Sequence, residues 1–213
     1  MIYSGKQGDI FGYLFRSFPF EYSKKGKIQY MLYPKEEFTG KNGIRYTLRS
    51  PELADAEKMI DYLKTTASET EYGLSYPEEL DFTVKDEEDF ISHYSEDKGS
   101  IMISAFDGDR LVGNASLSCV MERKKTLHRA TFGMAMLKSE WGQGLGRKIL
   151  SELIAFAKQA GYEFLELEVA ANNTSAVTLY KTMGFVVYGE RPRSLKLKNG
   201  DYYDEFLMVL NLK

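Results

Sequence analysis

The chain has 213 residues, 43% hydrophobic and 14% aromatic, enough for one substantial core, which favours one globular domain with an extension over two full domains. Lys+Arg 28 against Asp+Glu 31 gives a formal net charge of -3, which supplies no global drive toward nucleic acid or an anionic membrane. The single cysteine, Cys119, cannot form an internal disulfide, and with only two histidines it falls short of a zinc-ligand set, so a reducing compartment and no metal are expected.

Lys6, Asp9 and Arg16 interrupt the apolar character of residues 1–20, including the aromatic run Phe11 to Phe20, so neither a signal h-region nor a membrane span is expected. The expectation is a cytoplasmic protein, in which the sequons at Asn172 and Asn173 carry no weight. Residues 1–43 read as an aromatic-rich extension of short strands or a hairpin, punctuated by Lys24-Lys25-Gly26-Lys27 and Lys41-Asn42-Gly43. The extension could form a homodimer contact or cover an acceptor pocket. The main domain is taken as residues 44–213.

Within that domain, Ile44 to Leu48 reads as a strand, and Pro51 opens a helix with Leu53, Ala56, Ile60 and Leu63 on one face. Glu69 to Asp97 carries eleven acidic residues against one lysine, Lys85, and holds a loop and a short helix. That run is either a solvated surface or a field that draws in a cationic amine. Ile101 to Phe106 and Leu111 to Ser118 flank Asp107-Gly108-Asp109, a hairpin signal, and Ala130 to Leu137 is a third strand. Gly133 inside it suggests a bulge, a close backbone approach or an ordinary edge-strand glycine.

Gly142-Gln143-Gly144-Leu145-Gly146 follows, then a helix with Leu145, Ile149, Leu150, Leu153, Ile154, Ala157 and Ala160 at helical spacing, ended by Gly161. Leu165, Leu167 and Val169 alternate as a strand. Asn173 caps a helix that buries Ala176, Leu179, Tyr180 and Met183 and stops at Gly184. Phe185 to Tyr188 and Tyr202 to Leu210 close the chain as strands. The pattern is α/β, with hairpins first and helical connections later.

A strand, a glycine-rich turn and an amphipathic helix can bind phosphate, because backbone N–H groups in the turn converge at the positive end of the helix dipole. The spacing Gly-x-Gly-x-Gly matches neither the dinucleotide fingerprint nor the P-loop, and the glycines could equally form only a tight turn. Arg147 and Lys148 in the first helical turn lie at the wrong end of the dipole unless an anion is near, and otherwise bend into solvent.

Met134 to Gly146, ending in Trp141-Gly142-Gln143-Gly144-Leu145-Gly146, and Asn173-Thr174-Ser175-Ala176-Val177-Thr178-Leu179-Tyr180-Lys181-Thr182-Met183-Gly184-Phe185 carry a family resemblance. Together they resemble the Gcn5-related N-acetyltransferase (GNAT) family, whose pattern there is Gln/Arg-x-x-Gly-x-Gly/Ala, then Asn-x-x-Ala-x-x-Leu-Tyr-x-x-x-Gly-Phe. The resemblance runs from about Ile44 to the C-terminus and implies a mixed, mostly antiparallel sheet flanked by helices. It also implies acetyl-CoA as co-substrate, no metal, and direct acetyl transfer to a primary amine of a small molecule or peptide. Trp141 departs from the family's Gln/Arg, which puts the side-chain contact to pyrophosphate in question but leaves the backbone contact.

The resemblance implies that the backbone of Met136 and Leu137 hydrogen-bonds the pantetheine arm, and that Trp141, Gly142, Gln143, Gly144, Leu145, Gly146 and Arg147 wrap the pyrophosphate. Asn173 would lie near the cofactor, and Tyr180 would be the general acid. A phenol with pKa near 10 can reprotonate a thiolate of pKa about 8.5 while keeping its own proton at neutral pH. On residues alone, Tyr180 reads first as a core tyrosine on the buried face of its helix, and Asn173 could be only a cap, a role compatible with cofactor contact. The third strand holds no carboxylate to act as base, which leaves Glu168, His128 or a water chain. Cys119 has no evident histidine partner for a covalent route. The rival class is a catalytically inactive acyl-CoA-binding sensor or assembly module; a phosphotransferase would need a P-loop lysine that is missing.

Overall fold

The computed structural model describes residues 32–213, so the aromatic run over residues 1–31, expected as strands or a hairpin, lies outside the described residues. The described residues form one mixed, mostly antiparallel sheet flanked by helices, as expected. Its strands are β1 (Glu36–Thr39), β2 (Arg45–Arg49), β3 (Ile101–Asp107), β4 (Arg110–Cys119), β5 (Arg129–Met136), β6 (Phe164–Ala170), β7 (Val186–Lys196) and β8 (Tyr202–Asn211). They lie in the order β1-β2-β3-β4-β5-β6-β8-β7, and only β5 and β6 pair parallel. The helices are α1 (Ala56–Glu69), α2 (Val84–Glu96), α3 (Leu145–Gln159) and α4 (Thr174–Thr182).

β1 falls in the segment read as an extension, and it supplies an edge strand joined to β2 through the Lys41-Asn42-Gly43 turn, where Gly43 has φ +80°. Leu53 was expected on the buried face of the first helix. It belongs instead to a 3-10 turn (Leu53–Asp55) before α1 and is 50% exposed, because α1 starts only at Ala56. β7 runs well past Tyr188 to Lys196. As the outer edge strand it is mostly exposed on both faces and tolerates Pro192, so no apolar alternation marks its second half.

The core lies on both faces of β3 and β4. Met102 of β3 meets Ile91 and Tyr94 of α2, while Met134 of β5 lies beside Gly146 of α3. The register Met102↔Ser116↔Gly133 and Ile103↔Ala115↔Met134 places those contacts on opposite faces. α1 packs on α2, and Leu179 of α4 lies next to Gly146, so each face carries a helix pair. Covered on both sides, Ile101 to Phe106 are all buried, which explains a continuous run of small and apolar side chains. Among the described residues no helix is long and apolar enough to cross a membrane.

Candidate active site

The site begins where two strands part. Leu137 N–H donates to Val112 O at 2.9 Å, and Val120 N–H donates to Arg129 O at 3.0 Å. These bonds fix the alternation: odd-numbered residues of β5 turn their backbone groups to β4, and Phe132, Met134 and Met136 turn theirs the other way. On that side β6 pairs only with Arg129, Ala130 and Thr131. Beyond Thr131 the strands diverge, and the N–H and C=O groups of Met134 and Met136 face the gap. Met136 O accepts the indole N–H of Trp141 at 3.1 Å.

Leu137 does not share this position. Its N–H is bonded to Val112, its carbonyl accepts Glu140 N–H at 2.9 Å, and its side chain is buried. Of the two residues expected to offer backbone groups to a pantetheine, Met136 faces the gap while the Leu137 N–H is taken by β4, because alternation turns neighbouring residues in opposite directions. Gly133 pairs in register with Ser116; the irregularity is on the other side of β4, where a register shift leaves Val112, between Leu111 and Gly113, without a partner in β3.

The glycine loop leads from this gap into α3. Gly142 has φ +76° and Gly144, the N-cap, φ +89°, conformations that a side chain would strain. Gly144 brings no capping side chain, and no acidic residue stands in the first turn. The N–H groups of Leu145, Gly146 and Arg147 thus begin a long helix with no side-chain acceptor, an arrangement that suits a pyrophosphate.

The loop is braced from the β1–β2 hairpin. Lys41 N–H donates to Gln143 O at 3.1 Å, and Phe38 lies against Gly144. Arg147 and Lys148, which the sequence placed against the dipole, both have protein partners. Arg147 reaches Thr182 Oγ1 at 2.8 Å and Met183 Sδ at 3.3 Å, at the C-terminal end of α4. Lys148 is bonded by Glu36 and Glu152, each at 2.8 Å. Their positions are explained without an anion, so the case for phosphate rests on the backbone alone.

α4 closes the other side. Asn173 caps it, Oδ1 accepting Ala176 N–H at 3.2 Å. Tyr180 is 7% exposed and packs against Phe132 (centroids 5.8 Å, edge-on) and Phe185 (5.9 Å). Phe132 stands where β5 and β6 begin to part, so Tyr180 is at once a core residue and a wall of the gap. Its hydroxyl has no hydrogen-bond partner among the described residues, and burial pushes its pKa up to about 12.

Of the base candidates, His128 precedes β5 and packs on Phe164, about 26 Å of strand from the end of β5 that leads into the glycine loop. Glu168 is held by both terminal nitrogens of Arg191, at 2.8 and 2.9 Å, and Arg191 also bonds buried Glu205 at 3.1 Å. Cys119 donates to Met121 O at 3.3 Å at the same far end as His128, its thiol pushed up by burial.

Two residues were missed from sequence. Glu69, at the end of α1, accepts Lys138 N–H on Oε2 at 2.7 Å, just past β5. Tyr62, fully inside α1, donates its hydroxyl to Ala135 O at 2.6 Å and accepts Asn114 N–H at 3.1 Å. The acidic run is largely structural: Glu79, Asp86 and Asp97 bond local backbone N–H groups, and Glu78 pairs with Lys198. With Tyr76 Oη accepting Lys198 N–H and Tyr72 on Tyr203, this segment leans on the β7–β8 hairpin.

The acetyltransferase (GNAT) family model matches residues 60–185. The chain is 29% identical over 110 residues to the L-amino acid N-acetyltransferase AaaT of Escherichia coli (strain K12), covering 51% of this chain and 65% of that protein. It is 31% identical over 101 residues to the N-alpha-acetyltransferase RimI of Mycobacterium tuberculosis, covering 47% and 61%. Each match spans less than two thirds of the relative. A GNAT-family acetyltransferase structure from Streptococcus pneumoniae superposes with a TM-score of 0.74 at 26% identity, over 78% of this chain and 99% of that one. The yncA structure from Salmonella typhimurium, described with its cofactor acetyl-CoA, superposes at 0.69 with 20% identity, over 79% and 94%. With the family match covering more than half of the chain, and a parted β5 and β6 beside the glycine loop, this protein belongs to the GNAT acetyltransferase family.

Proposed function

We propose that the chain is an acetyl-CoA-dependent N-acetyltransferase that acts on an α-amino group, of a free amino acid or of a peptide N-terminus. The observation that carries this is the juxtaposition of the Met134 and Met136 backbone, which has no partner in β6, with the N-terminus of α3, which has no side-chain cap. One end suits a pantetheine amide, the other a pyrophosphate. The α-amino class is supported by the printed activities of the relatives, one on L-amino acids and one N-alpha.

Bound acetyl-CoA supplies an activated acyl group and a thiol leaving group. The backbone N–H groups of Leu145, Gly146 and Arg147 hold the pyrophosphate; the Trp141 backbone N–H is already bonded to Lys138 O, and Asn173 caps the end of α4 opposite the Arg147–Thr182 contact. Met136 N–H donates to the acyl carbonyl oxygen as charge builds there. Tyr180 Oη keeps its proton through the physiological range and gives it to the departing sulfur; the burial that weakens the phenol as an acid also disfavours a thiolate in the same cleft. Glu69 takes the proton of the attacking ammonium, directly or through one water, and the second proton that the nitrogen sheds as the amide forms restores the Tyr180 phenol. Transfer is direct, because Cys119 lies at the far end of β4 with a raised pKa.

The deciding experiment is CoA release from acetyl-CoA against amino acids, peptides with free N-termini, polyamines and aminoglycosides, with acetyl-CoA binding measured in parallel. Turnover with the first two classes is expected. Turnover only with polyamines or aminoglycosides would overturn the acceptor class, and binding with no turnover would overturn the enzyme.

A further inference from the structure

We propose that Tyr62 is a positioning residue for the acyl carbonyl: its hydroxyl fixes the Ala135–Met136 peptide so that Met136 N–H is aimed into the gap. Asn114 and Ala135 are register partners, and by the alternation of β5 they are the kind of antiparallel pair that exchanges direct N–H to O bonds. One of those two bonds is replaced. Tyr62 Oη stands between them, accepting from Asn114 N–H at 3.1 Å and donating to Ala135 O at 2.6 Å.

The consequence follows from one peptide plane. Ala135 C=O and Met136 N–H belong to the same trans unit and point in opposite directions. Holding the carbonyl against β4 therefore points the N–H at the gap, and a small rotation of the carbonyl swings the N–H by the same angle. Met136 Sδ lies 2.4 Å from where a Cβ on Gly113 would stand, so a side chain at position 113 would displace the Met136 thioether from its present place. Tyr62 itself is 4% exposed, and burial raises its pKa well above the ordinary phenol range, so it remains a donor. This rests on the assignment of Met136 N–H to the acyl oxygen made above.

The test compares wild type with Tyr62→Phe. The readouts are kcat, KM, affinity for CoA, affinity for the ketone analogue of acetyl-CoA, and the stretching frequency of that ketone's ¹³C-labelled carbonyl. Expected are a fall in kcat of about 10- to 100-fold, unchanged CoA affinity because CoA has no acyl carbonyl, and a carbonyl stretch moved back toward its solution value. Equal loss of CoA and ketone affinity, or an unmoved stretch, would reduce Tyr62 to a sheet support. If the wild type itself leaves the ketone stretch at its solution value, the assignment of Met136 fails and the role of Tyr62 falls with it, an outcome distinct from a shift that is present in the wild type and unmoved in the variant. Should Tyr62→Phe not fold, 3-fluorotyrosine at position 62 keeps the hydroxyl and strengthens it as a donor. Polarising the peptide further should lower the stretch, and no change would overturn the proposal.

Discussion

Tyr46 donates its hydroxyl to Glu140 Oε2 at 2.6 Å, across 94 residues of sequence, and so ties β2 to the residue just before Trp141 and the glycine loop. Glu140 is 6% exposed; its other oxygen accepts Ser139 Oγ at 2.7 Å, and no cation pairs with it among the described residues. A buried carboxylate held by two hydroxyls leaves little margin. Tyr46→Phe should lower stability by about 1 to 3 kcal/mol and weaken acetyl-CoA binding more than acceptor KM. Thermal unfolding with acetyl-CoA titration checks it; a stability loss with cofactor affinity intact would show that the loop is held by other contacts.

Trp141 is the only tryptophan, 38% exposed, and its indole N–H is bonded to Met136 O at the mouth of the gap. Acetyl-CoA binding there should change its emission in a saturable way. Trp141→Phe should abolish the signal yet keep affinity within about tenfold, since the proposed pyrophosphate donors are the backbone N–H groups of Leu145, Gly146 and Arg147, not the indole. Fluorescence that ignores saturating acetyl-CoA would place the cofactor elsewhere.

What was legible in the sequence was local. Asn173 as a cap, Gly144 as the entry to α3 and Gly184 as the end of α4 each announce themselves within a few residues, and their neighbours fall at helical spacing. The distinction between Met136 and Leu137 was not legible, because it depends on which residues of β5 bond β4. The same holds for Arg147 and Lys148, whose partners Thr182 and Glu36 are remote in sequence. Tyr62 gave no signal because its partners are backbone atoms 52 and 73 residues away.

For Tyr180, replacement by Phe should cut kcat by about 100-fold with acetyl-CoA affinity retained. Because burial pushes the phenol up to about 12, its proton is held through the neutral and mildly alkaline range. The wild-type rate should show no alkaline fall from this group below about pH 11. An alkaline limb near pH 10 that disappears in Tyr180→Phe would contradict the buried placement.

Glu69→Gln is nearly isosteric, and its amide oxygen can still accept Lys138 N–H, so the turn after β5 should survive. If Glu69 takes the acceptor's proton, kcat/KM should fall by about 100-fold or more at neutral pH and recover in part as the pH is raised and free amine becomes abundant. Identical pH profiles for wild type and variant would shift the role to a water chain.

The last expectation concerns the element that carries both Tyr62 and Glu69. α1 is anchored at its start by Asp55, whose carboxylate receives Arg49 Nη1 at 2.6 Å, Arg49 Nη2 at 3.0 Å and Glu52 N–H at 2.8 Å; Arg49 also lies 4.1 Å from the centre of the Phe106 ring. Burial alone would raise the Asp55 pKa, but the Arg49 fork and the Glu52 N–H more than offset it and hold it below the ordinary value. A depressed folded pKa contributes stability above the unfolded value, about 3.9, and that contribution is lost as the pH falls through the folded one. Asp55→Asn should therefore cost on the order of 3 kcal/mol at pH 7, where Arg49 loses its charged partner. Below about pH 4 the difference should narrow, because the protonated wild-type carboxyl then resembles the amide. Urea unfolding of both proteins at pH 7 and pH 3 measures this, and an equal gap at both would assign the anchor to shape rather than charge. If charge is the anchor, loosening α1 moves the Tyr62 hydroxyl, so Asp55→Asn should also lower kcat at pH 7 while CoA affinity stays unchanged.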